Sequence, residues 1–330
     1  MLLLEPKITR IMVFAVLVLS LPTSSRAERI PASTTPDVFD ALQQNVWYMQ
    51  TPDKKAQIYV ASLGKGPMVI VLNGGPGNNF NYIVDAVRGL AGKYRFVLFD
   101  QRGSVLSPVP PTAVASLSIK TLVADLDTLR KTLGQKKIVL MGHSFGTLLA
   151  LEYAQAHPEH VAGLVLAASF PPTTLRNETF SSFIAQVQRR DRVLEARPQV
   201  KAEMIAAANI RGSQLKIRLA SIDFYHVERW RQFQGAGVYY NEQVDGAIGS
   251  SVAEHFNFLS ALESHHIPVT IIQGDHDYID PSASRWAAVK RGDPLLHVDV
   301  VPEACHYIWV DNPTAFTTDL NAGLSWALQH

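Results

Sequence analysis

The sequence predicts an α/β protein, with a mostly parallel central sheet flanked by helices and a helical insertion late in the chain. Three observations carry that expectation. Short continuous β-branched and aliphatic runs, such as Met68-Val69-Ile70-Val71-Leu72, read as strands buried on both faces. Helical patterns separate these runs, and strand–helix alternation implies parallel strands joined by crossover helices. The alternation lapses from Pro171 to about Leu262, where no convincing strand occurs, and it resumes at Pro268.

The elements follow in order. Lys7 and Arg10 precede the apolar run Ile11 to Leu19, and then come Pro22 and Ser25-Arg26-Ala27. This is the layout of a secretory signal peptide over residues 1–27, cleaved near Ala27, so the mature protein is expected outside the cytoplasm, periplasmic or secreted. A start at Met12 and an uncleaved single-helix anchor are the alternatives. The apolar run is short for a membrane span, and none is expected in the mature form. Strands are then expected at Gln57 to Ala61, Met68 to Leu72, Arg95 to Phe99, Ile138 to Met141, Leu164 to Ala168, Val269 to Gln273 and His297 to Val301. Ile119, Leu122, Leu126, Leu129 and Leu133 fall on one helical stripe, with Ser118 as N-cap and Gly134 as stop. A last helix spans roughly Pro313 to Leu328. Helical stretches at Phe180 to Ala196, Val200 to Ala208 and Asp223 to Phe233 fill the interruption. These boundaries predict a core of residues 28–170 and 263–330, with 171–262 as a helical cap over the mouth of the sheet. A separate helical domain is the alternative.

Composition narrows the function. The 330 residues are 47% apolar and 18% charged, which suits a folded globular chain. A formal net charge of +1 does not favour a nucleic-acid partner. One cysteine, Cys305, can form neither an intrachain disulfide nor a cysteine-rich metal site.

The stretch Ile138-Val139-Leu140-Met141-Gly142-His143-Ser144-Phe145-Gly146 ends a buried strand abruptly and opens a helix. A serine between glycines in that context is a nucleophile elbow. The turn is too tight for flanking side chains, and the helix N-terminus favours negative charge. A serine alcohol needs a base, and the base needs a third group to hold it. Here the chain order should be Ser, acid, His. Asp275-His276-Asp277 lies just past the strand ending at Gly274, and His306 follows the last strand. We assign Ser144 as nucleophile, Asp277 as acid and His306 as base; Asp275 is the alternative acid and Asp280 a weaker one. His276 and the pair His265-His266 read as loop residues, His143 as packing within the elbow or lining of the site, and Cys305 as a small core residue. Asn73-Gly74-Gly75-Pro76-Gly77 follows another strand, so backbone N–H groups can approach a substrate there. The oxyanion donors are assigned to Gly75 and Phe145. A phosphate loop is excluded, since no Gly-Lys-Ser/Thr follows.

Four motifs together, Asn73-Gly74-Gly75-Pro76-Gly77, Asp100-Gln101-Arg102-Gly103, Gly142-His143-Ser144-Phe145-Gly146 and the Asp277/His306 pair, resemble the proline iminopeptidase family of α/β-hydrolases. The resemblance runs from about Gln57 to Trp326. It implies the α/β-hydrolase fold and a cofactor-free serine hydrolase acting on a small-molecule or short-peptide substrate. Many family members remove an N-terminal proline or other residue from peptides; relatives hydrolyse esters, amides or lactones. The chain departs from the family pattern at Asn73, where His is usual, and at Val105, where a second glycine is usual. The aminopeptidases hold the substrate's amine with acidic cap residues. Glu178, Glu203, Glu228, Glu242 and Glu254 are available here but match no family motif, so the substrate-binding residues stay unassigned. Cap aromatics Phe183, Tyr225, Trp230, Phe233, Tyr239 and Tyr240 could line a pocket or form the cap's own core. The expected function is an N-terminal peptidase. A carboxylesterase or lactonase is the alternative, and a non-catalytic binding protein on the same fold a third reading.

Overall fold

A computed structural model describes residues 45–202, 223–232, 241–290 and 292–330. The expected signal peptide, with Ala27, lies outside the described residues, as do Glu203, Phe233, Tyr239 and Tyr240. Eight strands form one sheet: β1 (Val46–Gln50), β2 (Gln57–Gly64), β3 (Met68–Leu72), β4 (Arg95–Phe99), β5 (Ile138–His143), β6 (Val161–Ala167), β7 (Val269–Gly274) and β8 (Leu296–Val301). Their order is β1-β2-β4-β3-β5-β6-β7-β8. Pairing is antiparallel between β1 and β2 and between β2 and β4, and parallel across the rest. Strands β3 to β7 run parallel at the centre of the sheet, as the apolar runs predict, and β8 is a partly exposed parallel edge strand. Strand β1 escapes that signal because it is an edge strand with only Met49 buried.

The helices are α1 (Ile119–Thr132), α2 (Phe145–Ala156), α3 (Phe180–Glu195), α4 (Glu242–Gly249), α5 (Leu259–Ser264), α6 (Ser284–Val289) and α7 (Pro313–Ala327), with shorter turns between them. Ser118 caps α1 as expected: its hydroxyl accepts from Thr121 N, and Thr121 Oγ1 accepts from Ser118 N at 3.0 Å. The stripe residues Ile119, Leu122, Leu126 and Leu129 are buried with Leu148 and Leu151 of α2 against one face of the sheet. Phe316, Leu320 and Leu324 of α7 join Val71, Met141 and Val165 in the core on the other face.

Between β6 and β7 the described residues contain no regular strand, only an isolated bridge between Thr173 and Asn257. That bridge closes the two stems of the insertion, reinforced by Phe180 N to Glu254 O at 2.8 Å and Phe258 N to Pro172 O at 3.0 Å. The expected helix at Phe180 is α3, capped by Thr179. Of the stretch expected helical after Asp223, Val227–Gln232 forms a 3₁₀ segment. Both carboxylate oxygens of buried Glu178 receive Arg285 of α6 at 2.7 Å, which fastens the insertion to the sheet's own helices. Among the described residues no helix is long and apolar enough to cross a membrane.

Candidate active site

In the parallel part of the sheet the strands end together. Leu72 at the end of β3 is in register with Gly142 of β5, and Gly274 of β7 with Val301 of β8. The loops carrying the singled-out residues therefore leave the same edge, where α/β sheets hold their ligands.

Ser144 has φ 54° and ψ −126°, a strained backbone for a side-chain-bearing residue. Its neighbours hold it there: Ser144 N donates to Ala167 O at 3.1 Å, and its carbonyl accepts from Thr147 N at 2.8 Å and Thr147 Oγ1 at 2.7 Å. The flanking glycines are required by space. A Cβ on Gly146 would lie 2.1 Å from Leu72 O, and one on Gly142 2.7 Å from Gly146 O. Ser144 itself is half-buried.

Asp277 is fully buried, and it, rather than Asp275, faces His306. Asp277 Oδ2 lies 3.2 Å from His306 Nδ1, while Oδ1 accepts from Ile279 N at 2.7 Å. His306 Nε2 is the nitrogen left for another partner. The His306 ring packs 4.6 Å from Tyr278 and 4.7 Å from His143, the residue before Ser144. Asp275 is committed elsewhere. Burial raises its carboxyl, but His276 at 2.7 Å and the amides of Ala304 and Glu303 outweigh that and hold it below the usual range. Asp280 accepts from Ser284 Oγ and Arg285 N at the start of α6, a helix-start role. Cys305 is buried with its thiol on His276 O at 3.2 Å.

The loop after β3 lies directly on the elbow, since a Cβ on Gly74 would sit 2.6 Å from Ser144 Cβ. Gly75 takes φ +62°, which glycine alone adopts freely. Phe145 opens α2, so its N–H has no intrahelical acceptor. The Asp-Gln-Arg-Gly motif braces this loop from below. Gln101 Nε2 donates to Asn73 O at 2.8 Å. The Asn73 amide, where the family has His, donates within its own loop to Gly74 O and Asn78 O. Asp100 accepts from Phe80 N and Leu106 N, and burial pushes its carboxyl up to about 6. Arg102 forms a two-bond pair with Asp125, at 2.8 and 2.5 Å, and reaches Asp53. Beside Val105, Ser107 Oγ accepts from Tyr59 N and Ser104 Oγ donates to Asn78 O, so the loop is fixed by hydroxyls instead of a second glycine.

Two of the glutamates considered from sequence are engaged elsewhere. Glu178 pairs with Arg285, Glu254 binds Ser181, and Glu228 is exposed. The acid that the insertion sends to the site is Asp223, which no motif marks. Its carbonyl accepts from Tyr307 N at 3.0 Å, beside His306. Its side chain is buried and Oδ2 meets no hydrogen-bond partner among the described residues. Burial drives its carboxyl well above the usual range, and the charges of Asp191, Asp277 and Asp311 push it further, while a hydrogen bond from Tyr278 opposes them. Burial also raises the hydroxyls of Tyr82, Tyr278 and Tyr307, and the Asp223 charge adds to each shift; Tyr278 and Tyr307 both pack on the His306 ring. Of the insertion's aromatics, Phe183 is core, under the Arg285 guanidinium, and Trp230 is buried; Tyr225 is half-buried and packs on His276.

Elsewhere, Asp127, His157 and His160 bring possible metal-ligand atoms within 4.8 Å of one another. The Asp127 carboxylate already receives Arg130, Lys131 and Tyr153, two of them cations.

Comparison with known proteins bears on the family and the fold. Residues 67–313 match the family model described as the alpha/beta hydrolase fold. A proline iminopeptidase of Xylella fastidiosa (strain Temecula1) is 30% identical, over 77% of this chain and 88% of its own length. Among solved structures, a proline iminopeptidase-related protein from Thermus thermophilus superposes with TM-score 0.65 at 25% identity, covering 85% of this chain and 97% of its own. A thermophilic esterase from Thermogutta terrifontis shares the fold, with TM-score 0.59 at 23% identity over 86% of this chain and 99% of its own.

Proposed function

This chain belongs to the proline iminopeptidase-like family of α/β-hydrolases and is a hydrolytic enzyme, and from that premise we propose that it is a serine aminopeptidase that anchors its substrate's free amine on Asp223. The observation that carries this reading is a buried carboxylate beside His306 with no ion-pair partner among the described residues. Burying a carboxylate without a countercharge is costly. An α-ammonium supplies the countercharge and the hydrogen-bond donors that Oδ2 lacks. A strongly shifted carboxyl beside the proposed base is also what a functional site produces.

In this reading Ser144 Oγ attacks the carbonyl of the N-terminal residue while His306 Nε2 takes its proton. The N–H groups of Gly75 and Phe145 donate to the oxyanion, each worth about 3 kcal/mol of transition-state stabilisation. His306 then passes the proton to the departing amine, and water repeats the attack to free the acyl group from Ser144. Asp277, accepting from His306 Nδ1–H, holds the tautomer and stabilises the imidazolium. Residues 171–262 act as a cap that screens the cleft, and the core comprises 28–170 and 263–330. Residues 1–27 export the enzyme, with cleavage near Ala27.

The test is turnover of alanyl and prolyl naphthylamides, their N-acetylated counterparts and short-chain nitrophenyl esters. Free-amine substrates should be cleaved, acetylation should abolish cleavage, and Ser144→Ala should remove activity without moving the thermal midpoint. Equal turnover of acetylated amides, or esters far outpacing amines, would replace this reading with an esterase. No turnover of any substrate, with Ser144 unlabelled by an organophosphonate, would favour a binding protein.

A further inference from the structure

A second set of buried groups joins the oxyanion loop to the base, and the mechanism above does not use it. Gly74 N donates to Tyr82 Oη at 2.5 Å, Tyr82 Oη lies 2.9 Å from His143 Nδ1, and His143 Nε2 lies 3.1 Å from His306 O. Tyr82 is 3% exposed and His143 1%, so water cannot substitute for these partners. The His143 ring is enclosed by Tyr82, Tyr307, Trp309 and His306, with centroids between 4.7 and 5.5 Å away.

The two ends of this chain of bonds fix every proton in it. A carbonyl only accepts, so His143 Nε2 carries hydrogen and donates to His306 O. A backbone amide only donates, so the Tyr82 oxygen accepts from Gly74. In a neutral imidazole Nδ1 is then bare, and Tyr82 O–H donates to it. Protonating His143 would put a second donor against the Tyr82 oxygen. Burial, together with nearby His306, keeps the imidazole neutral by lowering its pKa well below the ordinary value, against the backbone hydrogen bond.

We propose that Tyr82 and His143 are positioning residues that lock the oxyanion loop to the main chain of His306, so that oxyanion donors and base keep one register through the reaction. Tyr82 occupies the Gly74 amide. That leaves the Gly75 and Phe145 amides as the pair facing the oxyanion and fixes the loop that presents Gly75. His143 holds the His306 backbone carbonyl, while Asp277 holds its ring. The inference rests on the assignment of Ser144, Asp277 and His306 as the reacting triad.

Tyr82→Phe removes only the hydroxyl, and His143→Gln keeps a donor for His306 O while losing the Nδ1 acceptor. Each should lower kcat about tenfold with KM within about twofold, because misplaced donors weaken the transition state more than substrate binding. The double variant should be no slower than the slower single, since the chain acts as a unit. His143→Phe should be slower than His143→Gln. Full kcat in Tyr82→Phe, or multiplicative losses in the double variant, would overturn the proposal. A measurement independent of variant folding is ¹⁵N NMR of the imidazoles in the wild type. His143 should appear as the neutral Nε2–H tautomer at every pH from about 5 to about 8, and an Nδ1–H tautomer or a titrating ring would overturn the proposal. If wild-type turnover survives Ser144→Ala, the triad assignment fails; if turnover depends on Ser144 but not on Tyr82, only the positioning role fails.

Discussion

Asp223→Asn separates stability from function, and the structure sets both signs. The native carboxyl is raised above its unfolded value by burial, and then by Asp191, Asp277 and Asp311, with Tyr278 alone easing the charge. Between the unfolded pKa of about 3.9 and the folded one, the native state holds a proton that the unfolded chain releases. Stability therefore falls with rising pH across that window, by about 1.4 kcal/mol per pH unit. Asparagine has the same shape, can still accept from Tyr278 and carries no such proton. Relative to wild type, the variant should gain about 1.4 kcal/mol for each pH unit climbed within the window, then hold a constant advantage above it. Urea unfolding at four pH values spaced between about 4.5 and about 7.5 measures this directly. Activity should move the other way. Removing the charge from a buried ammonium–carboxylate pair costs about 3 kcal/mol, so kcat/KM for alanyl or prolyl amides should drop about a hundredfold. Wild-type kcat/KM should itself rise with pH as Asp223 becomes able to ionise against an incoming amine. A variant that is less stable at the alkaline end of the series, or a stability difference that ignores pH, would refute the reasoning. So would unchanged turnover of free-amine substrates.

Two further expectations come from neighbouring loops. Asp277→Asn should lower kcat by about 10³–10⁴-fold through the wrong His306 tautomer, whereas Asp275→Asn should keep kcat within about threefold. Asp275→Asn should instead lose about 1 kcal/mol of stability. Because the folded carboxyl is held low, that loss should be full above about pH 4 and shrink as acid protonates Asp275 in the wild type. Steady-state kinetics beside urea titrations separate the two aspartates, and equal kinetic losses would reopen the choice of acid. Gly146→Ala drives a methyl to within 2.1 Å of Leu72 O and 2.6 Å of Leu72 C, which are backbone atoms of a central strand. A loss of about 3 kcal/mol or failure to fold is expected. Gly89→Ala, which meets nothing within 4 Å, should stay within about 0.5 kcal/mol of wild type.

What was legible in the sequence follows from how each feature is encoded. The parallel strands advertise themselves because burial on both faces demands an unbroken apolar run, as in β3 and β5. The elbow is legible because its constraint is local: contacts of 2.1 and 2.7 Å leave room for glycine alone, so the pattern Gly-x-Ser-x-Gly records a steric fact. Asp277 and His306 were recoverable from chain order, because each leaves the carboxyl end of a strand whose place in the sheet is fixed. Asp223 obeys no such rule. It arrives on an irregular segment, and its hydrogen-bond partners, Tyr278 on the side chain and Tyr307 on the carbonyl, come from distant parts of the chain. The glutamates of the insertion were the visible candidates for an amine anchor, but Glu178 is fully engaged by Arg285, a pairing between residues 107 positions apart. His143 shows the same limit. Within the elbow its spacing implies only packing, and its hydrogen bonds to Tyr82 and His306 span 61 and 163 positions. Local sterics thus write themselves into motifs, whereas a polar group whose partners converge only in the folded chain leaves no periodic or spaced signal. In this molecule the proposed nucleophile belongs to the first class, and the groups proposed to select the substrate and hold the register belong to the second.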